Sequence, residues 1–458
     1  MMKKFRYSII LVLLSLMVPL IAVAGPSSYA TGFSVANLDS SNPAAIVITY
    51  YNQDGTTNVS PVSDTIPAGG VNSYFPIHTT AGFDGSAVIS SDREVAAIVN
   101  VLGDNGAFGG ADYGGFSSGA TTSYVPQVLR NFFGISTWFN VQNTGNEDAA
   151  VTVTYSGSPA PTCTETATIK PGAAKRFDQS TSSCLSDNFI GAATVTTGSA
   201  TQEIVSAVVQ YNDVSLLSYS GFTNSGTASV VVPFVSHRWF GSRTAIQIQN
   251  TGGVNTNVTV TYTPSSGFPG QTCSETKSVP AGGSTNFGDV ALFQSATNPC
   301  GPMTGTVQAN YGFVGSAEVT GNSANQNLVA IVNTVTSGTP NGATYNAFSP
   351  DAGTNTVAFP QIMDRYFGIF TGFSVANVGT SPTSISCTFS NSSVTASQNN
   401  VAPGSAFTHV QLNQIGNAYL GAATCTATGG DAQIVGIVSQ LGGQGDKLLY
   451  YEGFNTGN

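Results

Sequence analysis

The sequence predicts an all-β protein: a signal peptide followed by four tandem immunoglobulin-like β-sandwich domains. Three observations lead there. One short phrase recurs four times along the chain, a run of period-two apolar alternation follows each occurrence, and Gly, Pro, Asn and Ser clusters fill the intervals.

The first element is the leader of the chain itself. Lys3, Lys4 and Arg6 precede an almost uncharged apolar run from Ser8 to Ala24 that ends in Ala22-Val23-Ala24. That order of charge, apolar core and small residues is a secretory signal, with cleavage expected before Gly25. The competing reading is an uncleaved membrane anchor, but the run is short for a span and Pro19 interrupts it. No second run of spanning length follows, so no membrane span is expected in the mature chain.

The repeats come next. Phe33 to Asn37, Phe139 to Asn143, Ile246 to Asn250 and Phe373 to Asn377 read as one strand written four times, and their final asparagines lie 106, 107 and 127 residues apart. A second phrase closes each unit at Phe116, Phe222, Phe348 and Phe454, spaced 106, 126 and 106. The two rulers agree on the period and on one longer unit. A turn proline (Pro67, Pro171, Pro280, Pro403) and a strand-opening glycine (Gly85, Gly191, Gly315, Gly421) lie 18, 20, 35 and 18 residues apart, which places the insertion between Pro280 and Gly315. The expected boundaries are residues 1–24 for the signal peptide and 25–120, 121–227, 228–354 and 355–458 for the copies.

Within each unit only strands are expected. Ile46/Ile48/Tyr50, Val151/Val153/Tyr155, Val258/Val260/Tyr262 and Ile385/Cys387/Phe389 alternate with mostly Thr, Ser or Val, the pattern of a strand with one buried face. Later segments, such as Ile204 to Gln210, are more continuously apolar and read as central strands. About seven short strands per unit predict two packed sheets in an immunoglobulin-like Greek key. Each unit is large enough to own a core, which predicts beads on a string.

Six cysteines in an exported chain predict three disulfides. Cys387 and Cys425 take the places of inward residues on different strands and read as a buried bridge between the sheets. Cys163 with Cys184 and Cys273 with Cys300 flank the Pro-Gly turn and read as ties between loops or edge strands. Copy one has none and is expected to be the least stable.

Val141-Gln142-Asn143-Thr144-Gly145, the strand Val151 to Tyr155 and the turn Pro171-Gly172 together resemble the immunoglobulin-like modules found in tandem on bacterial and archaeal extracellular proteins, the CARDB and related adhesion-type families. Ile248 to Gly252 with Val258 to Tyr262 repeats the pattern. The resemblance implies cell-surface adhesion or spacing and carries over no functional residue. Copies one and four depart from it at Asn37-Leu38-Asp39 and Asn377-Val378-Gly379.

Copies two, three and four are preceded by a further phrase, around Pro126, Pro233 and Pro360, each 17 residues before its asparagine. The same subtraction in copy one falls inside the signal peptide. The phrase is read first as a connector between copies; if it is instead a strand, copy one has an open sheet edge that would accept a strand from another chain.

Composition excludes several functions. Lys plus Arg number 13 against 23 for Asp plus Glu, and removal of residues 1–24 takes the net charge from −10 to −13, so nucleic acid is not an expected partner. Charged residues make up only 8% of the chain, far below the roughly 25% of ordinary domains. His78, His237 and His409 fall at non-equivalent positions and read as surface or edge-strand residues. No catalytic triad, metal cluster or cofactor motif is found, and the stretch Gly103 to Gly115, with Asp104, Asn105 and Asp112, lacks the order of a calcium loop. Trp138 and Trp239 are the two residues that would stack on a sugar if they face outward; otherwise they fill junctions between copies. The expected protein is therefore a secreted, non-enzymatic structural or adhesive component without cofactor, whose partners are other cell-surface proteins or copies of itself, with a glycan-binding array as the alternative.

Overall fold

A computed structural model of the chain describes residues 26–456 apart from 105–108, 266–267, 269, 294–299, 301–311, 324–325, 337–338, 340 and 443–447. The expected signal peptide, Asn105 and most of the copy-three insertion lie outside the described residues.

Copy one holds β1 (Tyr29–Asn37), β2 (Ala44–Asn52), β3 (Val62–Ile66), β4 (Val71–Tyr74), β5 (Gly85–Ser91), β6 (Val95–Gly103) and β7 (Gly109–Gly114). They form two sheets, β4-β1-β6-β7 and β3-β2-β5. Copy two holds β8 (Thr122–Arg130), β9 (Ser136–Asn143), β10 (Ala149–Ser158) and β11 (Glu165–Ile169). It continues with β12 (Ala174–Asp178), β13 (Phe189–Thr197), β14 (Ile204–Tyr211) and β15 (Leu216–Ser220). Its sheets are β11-β10-β13-β8 and β12-β9-β14-β15.

Copy three repeats the plan with β16 (Ser229–His237), β17 (Ser242–Asn250), β18 (Thr256–Pro264) and β19 (Cys273–Val279). Then come β20 (Ser284–Phe287), β21 (Phe313–Gly321), β22 (Leu328–Thr336) and β23 (Gly342–Asn346), and its two sheets join at one corner where His237 pairs with Arg243. Copy four holds β24 (Thr356–Asp364), β25 (Ile369–Asn377), β26 (Thr383–Phe389), β27 (Thr395–Val401) and β28 (Ala406–Val410). It ends with β29 (Tyr419–Thr428), β30 (Ile434–Gly442), β31 (Leu448–Glu452) and β32 (Phe454–Thr456), the last paired with β24.

The class is all-β, in tandem antiparallel sandwiches. Counted within a copy, the strand order is 4-3-6-1 facing 5-2-7-8. The pairings of second with fifth and third with sixth are those of an immunoglobulin domain; the first strand lies beside the sixth and the seventh beside the second. Alternation follows the pleat: Val151, Val153 and Tyr155 of β10 are buried while Thr154 is exposed.

The recurring asparagine has a physical reason. Asn143 Nδ2 donates to the carbonyls of Glu147 at 2.7 Å and Ile169 at 2.8 Å, and its Oδ1 accepts from Gly145 N at 2.9 Å. Asn37, Asn250 and Asn377 make the same two-way closure. A buried amide thus replaces the ladder where the chain leaves one sheet for the other.

The phrases around Pro126, Pro233 and Pro360 are strands rather than connectors. β8, β16 and β24 pair with β13, β21 and β29, each with a register shift at the proline. Proline lacks an N–H and is tolerated in a sheet at such a bulge.

Nor are the copies separate beads. β7 packs on β15, β15 on β23, β23 on β31, and β31 back on β7, so the last strands of copies one to three and the penultimate strand of copy four gather into one closed set. Ser220 Oγ donates to Gly114 O at 2.8 Å, Asn346 Nδ2 to Ser220 O at 2.7 Å, and Tyr450 N to Asp112 Oδ1 at 3.2 Å. The Pro-Gly turns also dock on the preceding copy: Ser86 Oγ donates to Gly172 O at 2.5 Å, and Ser316 Oγ to Gly404 O at 2.6 Å. The expectation of independent beads fails because their uncharged surfaces, small and polar, pack closely on one another.

Three disulfides join Cys163 to Cys184, Cys273 to Cys300 and Cys387 to Cys425. The first two tie loops and an edge strand, as expected. The third lies within one sheet: Cys387 of β26 and Cys425 of β29 are direct cross-strand partners. Their counterparts Val153 and Val195 are paired in the same way, as are Val260 and Val319. Both positions face the core, but from adjacent strands of one sheet instead of from opposite sheets.

Candidate functional site

The strongest candidate is a cleft beside copy one, and the other copies explain what it is. In copies two to four the leader strand is held by two hydroxyls. The bulge at each proline takes the next residue's peptide out of the ladder. Tyr219 Oη accepts from Gln127 N at 3.1 Å and donates to Gln127 O at 2.6 Å. Tyr345 makes the same pair with Phe234, and Tyr451 with Gln361, where the N–H contacts are 3.1 and 3.2 Å and both O–H contacts 2.5 Å. Burial pushes all three phenols up, so they stay protonated and able to donate.

The second hydroxyl is a threonine two residues before the core position of the landmark strand. Thr137 Oγ1 accepts from Leu129 N at 3.0 Å and donates to Leu129 O at 3.2 Å. Thr244 does the same with Ser236 and Thr371 with Met363.

Copy one has both hydroxyls, and among the described residues no strand takes the leader's place beside them. Tyr113 pairs with Val99 as Tyr219 pairs with Val208, and Thr31 stands two residues before Phe33 as Thr137 stands before Phe139. Neither side chain makes a hydrogen bond among the described residues; burial alone pushes the Tyr113 phenol up to about 12. β5 pairs with β2, and among the described residues its other edge is unpaired, where β13, β21 and β29 each carry a leader. Val95, Ala97 and Val99 are half-buried, whereas their counterparts Ile204, Ser206 and Val208 are fully buried under Val125 and Val128.

Beside this edge runs a cleft of about 2180 Å³, chiefly between copy one and the facing sheet of copy two, with Phe348, Phe454 and Asn455 of the later copies also on its lining. Asn140, Ala207 and Val209 form its far wall. In the sister junctions the leader fills this wedge. β8 packs on β17 and β22, and β16 on β25 and β30, where Ser374 Oγ donates to Pro233 O at 2.8 Å.

Trp138 closes one end of the cleft. It is almost fully buried, stands edge-on to Tyr29 at 5.6 Å, and has the Arg176 guanidinium over its face at 4.4 Å. It therefore fills the junction between copies one and two. Trp239 lies in a short 3-10 turn after β16 and meets Phe268 edge-on at 5.2 Å.

His237 is a core residue, not a surface one. Its ring lies parallel to Phe293 at 3.9 Å, because the copy-three insertion brings Phe293 over the end of the sandwich. Burial lowers its pKa to about 4. His409 is on the edge strand β28, with its pKa lowered by burial, and His78 is exposed. Asp104 caps Ser27 and Ser28, while Asp112 meets Tyr450, so the two do not converge.

One surface feature escaped the sequence reading. Phe133 and Phe367, at equivalent places in the turns after β8 and β24, are 88% and 84% exposed. Both have left-handed backbone, φ 47° and 50°, which bulky residues rarely adopt. Each leans on the aromatic residue before it, Phe132 or Tyr366.

Fold and site define an all-β tandem-repeat protein. No family model matches the chain and no curated protein matches it, so the CARDB-like resemblance gains no support. A solved structure described as a tetra-tandem repeat in the extending region of a large adhesion protein is similar at 14% identity over 93% of this chain and 95% of that one. Its TM-score is 0.13. Among the described residues no helix is long and apolar enough to cross a membrane.

Proposed function

We propose that this chain is a secreted, non-enzymatic structural or adhesive protein of a cell surface. The observation that carries the reading is the packing of four sandwich copies, poor in charge and three of them disulfide-stapled, into one body through β7, β15, β23 and β31. Such a body is a spacer or platform, and its rigidity suits presentation of exposed loops. Phe133 and Phe367 support the adhesive side of the proposal, since two large apolar rings held in water by unfavourable backbone suit a contact surface. They also keep the glycan-binding alternative in view in place of Trp138, which is buried.

The test is fractionation of the producing cells with surface biotinylation, followed by light scattering and negative-stain microscopy of the purified protein. Surface labelling with compact four-lobed particles or regular assemblies is the expected result. Confinement to the cytosol with reduced cysteines would overturn it.

A further inference from the structure

Among the described residues, the open side of copy one has a specific shape. Three sister copies show what fills it: an extended segment with an apolar residue, proline, any residue, then an apolar residue, as in Val125-Pro126-Gln127-Val128 and Phe359-Pro360-Gln361-Ile362. The proline makes the bulge, the next peptide meets the tyrosine hydroxyl, and the flanking apolar side chains enter the core. Copy one keeps the tyrosine, the threonine, the open edge of β5 and the half-exposed core. We propose that copy one is a strand acceptor whose groove takes, from a second polypeptide, an extended segment with this apolar-Pro-x-apolar pattern.

The occupant comes from another chain because β8, β16 and β24 are already built into their own copies. Binding would add a fourth strand to β3-β2-β5, cover Val95 and Val99, and complete the wedge against Asn140 and Val209 in continuity with the existing junction. This is strand addition to a sheet edge, in which main-chain pairing gives affinity and side-chain pockets give specificity. The proposal rests on the export reading, since it supposes that residues 1–24 are removed. Val18-Pro19-Leu20-Ile21 has the same pattern, one residue further from its asparagine than the other leaders. If retained, it would fill the groove from within.

The full chain is expressed with its export signal and its N-terminus is read by mass spectrometry. A labelled peptide of residues 120–131, the copy-two leader, is then titrated by fluorescence anisotropy, with hydrogen exchange of β5 as the structural readout. Saturable binding with new protection of β5 is expected. A peptide with Val125 and Val128 replaced by serine should not bind. Tyr113→Phe and Thr31→Val together should weaken binding at least about 10-fold while leaving the far-UV spectrum unchanged, because each removes hydrogen bonds to the guest backbone.

Absence of binding by a folded protein that begins at Gly25 overturns the proposal. So does equal binding by the double variant or the serine peptide. A purified chain that retains residues 18–24 and excludes the peptide assigns the groove to the chain's own segment and overturns donation by another chain. The localisation experiment is separate, so failure of export and failure of the groove are read independently.

Discussion

Replacing Asn143 by alanine tests why one asparagine stands at the same place in all four copies. The side chain is fully buried and makes three hydrogen bonds, to Glu147 O, Ile169 O and Gly145 N, at 2.7, 2.8 and 2.9 Å. Each is worth about 1 kcal/mol net, and the Ile169 carbonyl loses this donor in a dry site where unsatisfied groups cost about 1–3 kcal/mol. The expected loss is about 3–5 kcal/mol, large against the few kcal/mol by which a domain is stable. Urea unfolding followed by tryptophan fluorescence reads it locally, since Trp138 is on the same strand and Trp239 follows in the next copy. Serine should recover little, because its hydroxyl is too short to span both carbonyls. A loss below about 1 kcal/mol would refute the closure argument and leave the asparagine's recurrence without a structural cause.

Replacing Cys387 and Cys425 together by valine reproduces the pair that copies two and three carry at the same site. Copy four should remain folded and lose at most the loop-closure contribution of a 38-residue separation, about 4 kcal/mol, measured by thermal melting with and without reductant. His237 should make copy three acid-sensitive. Its folded pKa of about 4 lies below the ordinary 6.5, so the unfolded chain binds more protons between these values. The associated stability is complete above pH 6.5 and falls by about 3 kcal/mol as pH drops to 4. His237→Phe should flatten that segment of the stability profile, and an unchanged slope would count against the buried neutral imidazole. Replacing Phe133 and Phe367 by serine should leave the melting temperature nearly unchanged while reducing attachment of protein-coated beads to a cell or glycan surface.

Much of the fold was legible because repetition supplies its own alignment. The four landmark strands, the buried face of β10 and its counterparts, and the cysteine pairs could all be read by superposing the copies. The order of strands in each sheet could not. Alternation marks Cys387 and Cys425 as inward, but it reports the face of a strand and not its neighbour, so adjacent strands of one sheet read like facing sheets. The leader was harder still, because its proline argues against a ladder unless a bulge and a tyrosine hydroxyl are already known to be there. Packing of the copies through β7, β15, β23 and β31 left little mark either, since those short strands end in the same Tyr-x-x-Phe phrase that closes each unit. The burial of His237 leaves no mark in the sequence because its partner Phe293 comes from an insertion that no sister copy shares.

The arrangement also bears on which part of the molecule can respond to a partner. A guest strand that binds the folded acceptor stabilises it by mass action, by about 2.7 kcal/mol at a hundred times its dissociation constant. That gain would fall on the copy without a disulfide, whose core is the most exposed, and on its junction with copy two through Trp138. Copies two to four already contain their leaders and gain nothing. Partner binding should therefore raise the lowest unfolding transition and leave the others in place. A guest that raised every transition equally would show that the four copies unfold as one unit and that copy one is not the weak member.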